Sequence, residues 1–174
     1  PDNFAQYIAD IQQQGDSIGG IVECTITGLP VGLGEPIFDK LQSHLAYAMM
    51  SINACKGFEY GSGFEGVGLK GSEMYLSNDP QLISGGIAGG ISDGHPIVFR
   101  CVFKPTASNR KTFEALYSQY LEQLEPLKPF EQPSGLKAGR HDACIAVRAV
   151  ALVEAMAALV LQDFLSTLVQ RSRS

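Results

Sequence analysis

The stretch RHDACIAVRAVALVEAMAALVLQDFL, Arg140 to Leu165, decides the fold. Three ionisable residues, Arg140, His141 and Asp142, stand directly before a segment of mostly Ala, Val, Leu, Ile and Met that contains neither Gly nor Pro. That composition predicts one helix from Cys144 to Leu165. Arg148, Glu154, Gln162 and Asp163 interrupt it without forming a single polar stripe. A helix apolar nearly all round belongs in an interior, so its central turns are expected to be buried, with layers of sheet on both sides. Its uninterrupted apolar runs fall short of the roughly 18 residues of a membrane span. The charged cluster at the helix entrance is where chemistry would sit. Asp142 reads either as the N-cap, ion-paired to Arg140, or as a functional carboxylate beside an anion-holding Arg140–His141 pair.

Around this helix the composition is that of a globular chain. The 174 residues are 45% hydrophobic and 18% charged, enough for one domain, 1–174, with a real core. A net charge of −5 argues against a nucleic-acid platform, which would carry a basic stripe. Cys24, Cys55, Cys101 and Cys144 are scattered, with no CxxC and no histidine at ligand spacing, and read as free buried thiols of a reducing compartment rather than metal ligands. The start, PDNFAQYIADIQQQ, shows no signal peptide and reads as the middle of something longer.

Phe4, Tyr7, Ile8 and Ile11 fall at helical spacing, and Gly15 ends that helix. Ile21 to Ile26 is a β-branched strand between glycines. Ile37 to Ser51 predicts an amphipathic helix with Ile37, Leu41, Leu45, Ala48 and Met49 inward and His44 partly exposed. The glycine-dense INACKGFEYGSGFEGVGLKGSEM reads as short broken strands, LSNDPQ as a turn, and ISGGIAGGISDGHP as a glycine run that matches neither phosphate-loop pattern. Ile97 to Phe103 is a strand that delivers Lys104, Thr106 and Ser108 to a loop, as an anion or cofactor contact needs. Thr112 to Leu124 can form a helix, and a Pro-rich connector leads to RHD. Mixed strands and helices without regular βαβ alternation predict an α+β fold.

Seven motifs occur in order: GDSIGG (15–20), GLGEPIFDKL (32–41), SINACKGFEYGSGF (51–64), GGIAGGISDG (85–94), FKPTAS (103–108), GRHDAC (139–144) and RAVALVEAMAALVL (148–161). Together they resemble the C-terminal half of chorismate synthase. The resemblance implies a layered sandwich of antiparallel sheets around central buried helices. It further implies a cytoplasmic homotetramer that eliminates phosphate from 5-enolpyruvylshikimate 3-phosphate to give chorismate, using reduced FMN, with no partner in nucleic acid or membrane. The family's flavin contacts fall on Asn53, Ala54, Gly89, the segment Lys104, Pro105, Thr106, Ala107 and Ser108, and Arg140. Asp142 matches the aspartate that relays a proton through flavin N5, although the cap reading stays open.

The departures from the family pattern are local. Ala143 and Ala151 stand where prolines are usual, Ala107 replaces a serine, the stretch Pro80 to Ser84 is short and lacks an Asn, and 108–139 diverges. The family's GESHG and GGRSSAR-type segments, with their histidine acids and phosphate-binding arginines, are not in this sequence. The chain alone is therefore expected to be nearly inactive, and a non-catalytic scaffold or interaction domain on the same fold is the alternative reading.

Overall fold

A computed structural model describes residues 3–106, 111, 112, 115, 118 and 142–171. The chain forms two compact units, one of residues 1–20 with 104–146 and one of 21–103 with 147–174.

The first unit opens with α1 (Phe4–Gln13). Its end is a Schellman motif, in which Gly15 N–H donates to Gln12 O (3.0 Å) and Asp16 N–H to Ile11 O (3.1 Å), with Gly15 at φ +65°. This is the stop that Gly15 predicts. Of the helix expected over Thr112 to Leu124, Thr112, Ala115 and Ser118 are described, and all three are helical.

The second unit is built on a three-stranded sheet in the order β1 (Gly20–Ile26), β5 (Ile97–Phe103), β2 (Cys55–Tyr60). The central strand alternates as predicted. Ile97, Phe99, Cys101 and Phe103 point inward and are essentially inaccessible, while Val98 and Arg100 are half-buried and Val102 is exposed. β2 runs antiparallel to it, with Phe58 opposite Cys101 and Cys55 opposite Phe103, and the register slips between Cys55 and Gly57. Helix α2 (Leu41–Met50) buries Leu41, Leu45, Ala48 and Met49.

It starts four residues later than Ile37, and Ile37 and Phe38 are exposed. The reason is Asp39, held at φ +58°, a left-handed conformation that a right-handed helix cannot contain. His44 is partly exposed as predicted, hydrogen-bonded to Asp39 Oδ1 (2.9 Å) and edge-on to Phe164.

The glycine-dense segment departs from expectation. After β2 it forms a 3₁₀ turn (Gly63–Gly68) and a short helix α3 (Gly71–Leu76), not further strands. Glu73 Oε2 accepts the Lys70 N–H (2.8 Å) and so starts that helix. LSNDPQ likewise contains the start of α4 (Pro80–Ile83), where Asp79 Oδ1 accepts the Gln81 N–H (2.9 Å) and Pro80 occupies the first turn. The GGxxGG run is a hairpin of β3 (Ile87–Ala88) and β4 (Ile91–Ser92). Gly89 and Gly90 form its turn, both at positive φ as a two-residue hairpin turn requires.

The last helix, α5 (Ala146–Arg171), is longer than predicted and begins two residues later. It is not buried all round. Ala149, Val153 (1% exposed) and Ala157 form one buried stripe, whereas Val147, Val150 (51%), Leu152 (53%) and Leu159 (66%) are exposed. At 26 residues and a mean hydropathy of 1.7 over its best window, α5 is long and apolar enough to cross a membrane by length and composition. That corrects the length argument drawn from the interrupted apolar runs. In this structure α5 packs on protein along one side, where Phe164 meets the His44 ring and Arg171 pairs with Glu35.

Candidate functional site

Four of the nominated residues that the structure describes lie in the first unit. Lys104 and Pro105 follow the end of β5 and are exposed, and Thr106 is half-buried. Thr106 Oγ1 donates to the backbone carbonyl of Asp142 (3.3 Å), so the structure brings Thr106 and Asp142 together. Asp142 lies four residues before the first residue of α5, which removes it from the N-cap position. Ala143, where the family pattern has proline, is buried, and its carbonyl accepts the Ile18 N–H (2.7 Å). Ile18 also makes a parallel bridge with Cys144. Ala107, Ser108 and Arg140 lie outside the described residues.

The other three described nominated residues lie in the second unit. Asn53 is exposed and Ala54 half-buried, in the turn that leads from α2 into β2. Ala54 sits at φ +69°, a conformation that costs a non-glycine residue about 1–2 kcal/mol. That strain is offset by the turn hydrogen bond from Cys55 N–H to Ile52 O (3.1 Å). Gly89 lies on the β3–β4 turn, exposed, with open space where a Cβ would be. That turn is fixed to the start of α2 by Leu41 N–H donating to Gly90 O (2.9 Å). Asn53–Ala54 and Gly89 therefore stand at opposite ends of α2, about 15 Å apart along its ten residues.

The electrostatics of the first unit centre on Asp16. The Ser17 N–H (2.8 Å) and the Lys111 ammonium (3.3 Å) both bind its carboxylate and hold it below the ordinary carboxylate range. In the second unit, burial pushes the Cys101 thiol up to about 12, reinforced by the neighbouring Cys55 and Cys24 thiols. Such a thiol packs as an apolar group and is a poor nucleophile.

A separate groove of about 540 Å³ is lined by α2, the end of β2, the Gly61–Gly63 turn and α4, and includes none of the nominated residues. Gln42 and Gln81 line it, and the buried amide oxygen of each has no hydrogen-bond partner among the described residues.

The family model described as chorismate synthase matches residues 1–166. The chain belongs to the chorismate synthase family. It is 46% identical over 173 residues to chorismate synthase of Flavobacterium psychrophilum, covering 94% of this chain and 44% of that protein. To the chorismate synthases of Synechocystis sp. and Nostoc punctiforme it is 47% and 46% identical, covering 94% of this chain and 45% of each. A crystal structure of chorismate synthase superposes with a TM-score of 0.67 at 29% identity, over 94% of this chain and 42% of that one. The α+β architecture is thus the family's. The chain spans less than half the length of these chorismate synthase relatives.

Sequence reasoning singled out GDSIGG as a family motif but gave it no role. In the structure Ser17 Oγ donates to Thr106 O (2.7 Å), placing this motif against both nominated segments of the first unit. The signal available in the sequence was a hydroxyl beside a carboxylate, in a turn between two glycine stops.

Proposed function

We propose that this chain is the C-terminal half, a single working domain, of an enzyme that eliminates phosphate from 5-enolpyruvylshikimate 3-phosphate to form chorismate with reduced FMN. Family membership supports the reaction. The observation that carries the site is the Thr106–Asp142 hydrogen bond, which joins a cation-bearing loop to a carboxylate-bearing one.

The residues fit a flavin phosphate in their chemistry. Lys104 is exposed and offers a charge-assisted donor, and the Gly89 turn leaves its backbone open to an approaching group. Thr106 is a brace as much as a ligand, because its hydroxyl proton is directed at Asp142 O. When bound, reduced FMN would supply electron density to the allylic system as phosphate leaves. Lys104 would hold its anionic tail, with Ala107, Ser108 and Arg140 proposed as further contacts. Asn53, Ala54 and Gly89 are the remaining residues proposed to contact the flavin. Asp142 is the residue proposed to take up the substrate proton.

The net negative charge favours a small-molecule enzyme over a nucleic-acid binder. The same reading makes the parent a cytoplasmic homotetramer without a membrane partner. Turnover requires the histidine and arginine segments that this sequence lacks, so the 174 residues alone are inactive. Retention of Lys104-Pro105-Thr106 and of Arg140-His141-Asp142 favours the enzyme over a non-catalytic scaffold.

The test is titration of the full-length parent with anaerobically reduced FMN. Lys104→Ala is expected to weaken binding by about 1.5–3 kcal/mol, the range for a hydrogen bond to a charged group. An unchanged dissociation constant would remove Lys104 from the site.

A further inference from the structure

GDSIGG touches both nominated segments of the first unit; five of its six positions make a polar contact within that unit and the sixth, Gly20, packs closely there. Gly15 O accepts the Lys111 N–H (3.2 Å), and the Asp16 carboxylate pairs with the Lys111 ammonium (3.3 Å). The Ser17 hydroxyl donates to Thr106 O (2.7 Å), and the Ile18 N–H to Ala143 O (2.7 Å). Gly19 O lies 3.8 Å from Cys144 Sγ, and Gly20 leaves no room for a Cβ beside Ala146.

Two of these contacts, with the Thr106–Asp142 hydrogen bond, close a ring. Ser17 bonds to Thr106, Thr106 to Asp142, and Ala143 to Ile18, while peptide bonds join Ile18 to Ser17 and Ala143 to Asp142. A closed ring fixes relative position in a way that an open string of contacts does not, because no member can swing without breaking a hydrogen bond. The Ser17 hydroxyl is the link contributed by neither nominated segment. It is half-buried and so little exposed to competing water.

We infer that Ser17 is a positioning residue, whose hydroxyl locks the Lys104–Thr106 loop against the Asp142–Ala143 backbone. The inference rests on the proposed flavin site. It deepens that reading by making the geometry of the site depend on a residue outside both nominated segments.

The test uses the full-length parent with Ser17→Ala, Ser17→Thr and Lys104→Ala. Amide hydrogen exchange without flavin is read over residues 104–106 and 142–146, with β5 as internal reference. Binding of anaerobically reduced FMN is then titrated. Ser17→Ala is expected to speed exchange in both segments and not in β5, and to weaken FMN binding about threefold to tenfold, as loss of one hydrogen bond implies. Ser17→Thr, which keeps the hydroxyl, is expected to restore both.

Unchanged exchange in Ser17→Ala overturns the brace. Faster exchange with unchanged FMN affinity overturns its role at the site. Equal losses in Ser17→Thr and Ser17→Ala overturn the hydroxyl as the cause. Unchanged FMN binding in Lys104→Ala removes Lys104 from the site and so overturns the flavin reading of its loop, while the exchange arm still decides the brace.

Discussion

Gly20→Ala offers a direct test of how closely the start of β1 lies against the start of α5. A Cβ at Gly20 would stand 2.7 Å from Ala146 Cβ and 3.3 Å from Cys144 Sγ. Carbon atoms pack best at about 3.5–4.0 Å, so roughly 1 Å has to open between two backbones. Neither neighbour is the flexible end of a long side chain, and relief must come from main-chain movement. Overpacking of this kind costs about 1–3 kcal/mol. For a chain of this size, each kcal/mol lowers the melting temperature by about 2–4 °C, giving an expected fall of about 2–12 °C.

Gly68→Ala is the matched control, because a Cβ there meets nothing within 4 Å. It is expected to leave the melt unchanged or raise it slightly, by up to about 1 kcal/mol of stability. The double variant Gly20→Ala with Ala146→Gly removes the opposing methyl and should recover part of the loss, as residues in contact do in a double-mutant cycle. The assay is thermal unfolding of the 174-residue chain followed by circular dichroism. A Gly20→Ala melt within about 1 °C of the parent chain would refute the close approach.

Three further outcomes are expected. Phe99→Ala removes a side chain with no exposed surface from the central strand, where its ring lies 5.4 Å from that of Phe58, and should cost about 3–5 kcal/mol in denaturant unfolding. Asp142→Asn in the full-length parent should lower the chemical step by about 10²–10⁴-fold in single-turnover decay of substrate. Because α5 begins four residues further on, the same variant should show no loss of helix capping in a melt, and near-normal turnover would defeat the proton-transfer role. Cys101 should be the last thiol to react with an alkylating reagent at pH 8 in the folded chain, since its pKa of about 12 leaves almost no thiolate and it has no exposed surface. Labelling of Cys101 as fast as the half-buried Cys24 would contradict that packing.

The sequence by itself determined the elements whose residues carry a local period or a local stop. Gly15 ended α1 because its positive φ is available to glycine at no steric cost, and β5 alternated because strand side chains alternate. Four of the five residues assigned to the inner face of α2 are buried there. The ordered motifs likewise identified the family without coordinates.

Tertiary structure decided what local pattern does not encode. Asp39 in the left-handed region cut the first turn from α2, although Ile37 keeps helical spacing with Leu41. Apolar composition around α5 could not tell which stripe this chain covers, because hydrophobicity sets a preference for burial and the available partner surface sets where burial occurs. The ring through Ser17, Thr106, Asp142, Ala143 and Ile18 joins residues up to 126 positions apart (143 minus 17). No spacing rule relates such positions, and only the folded backbone brings their hydrogen-bonding groups within reach.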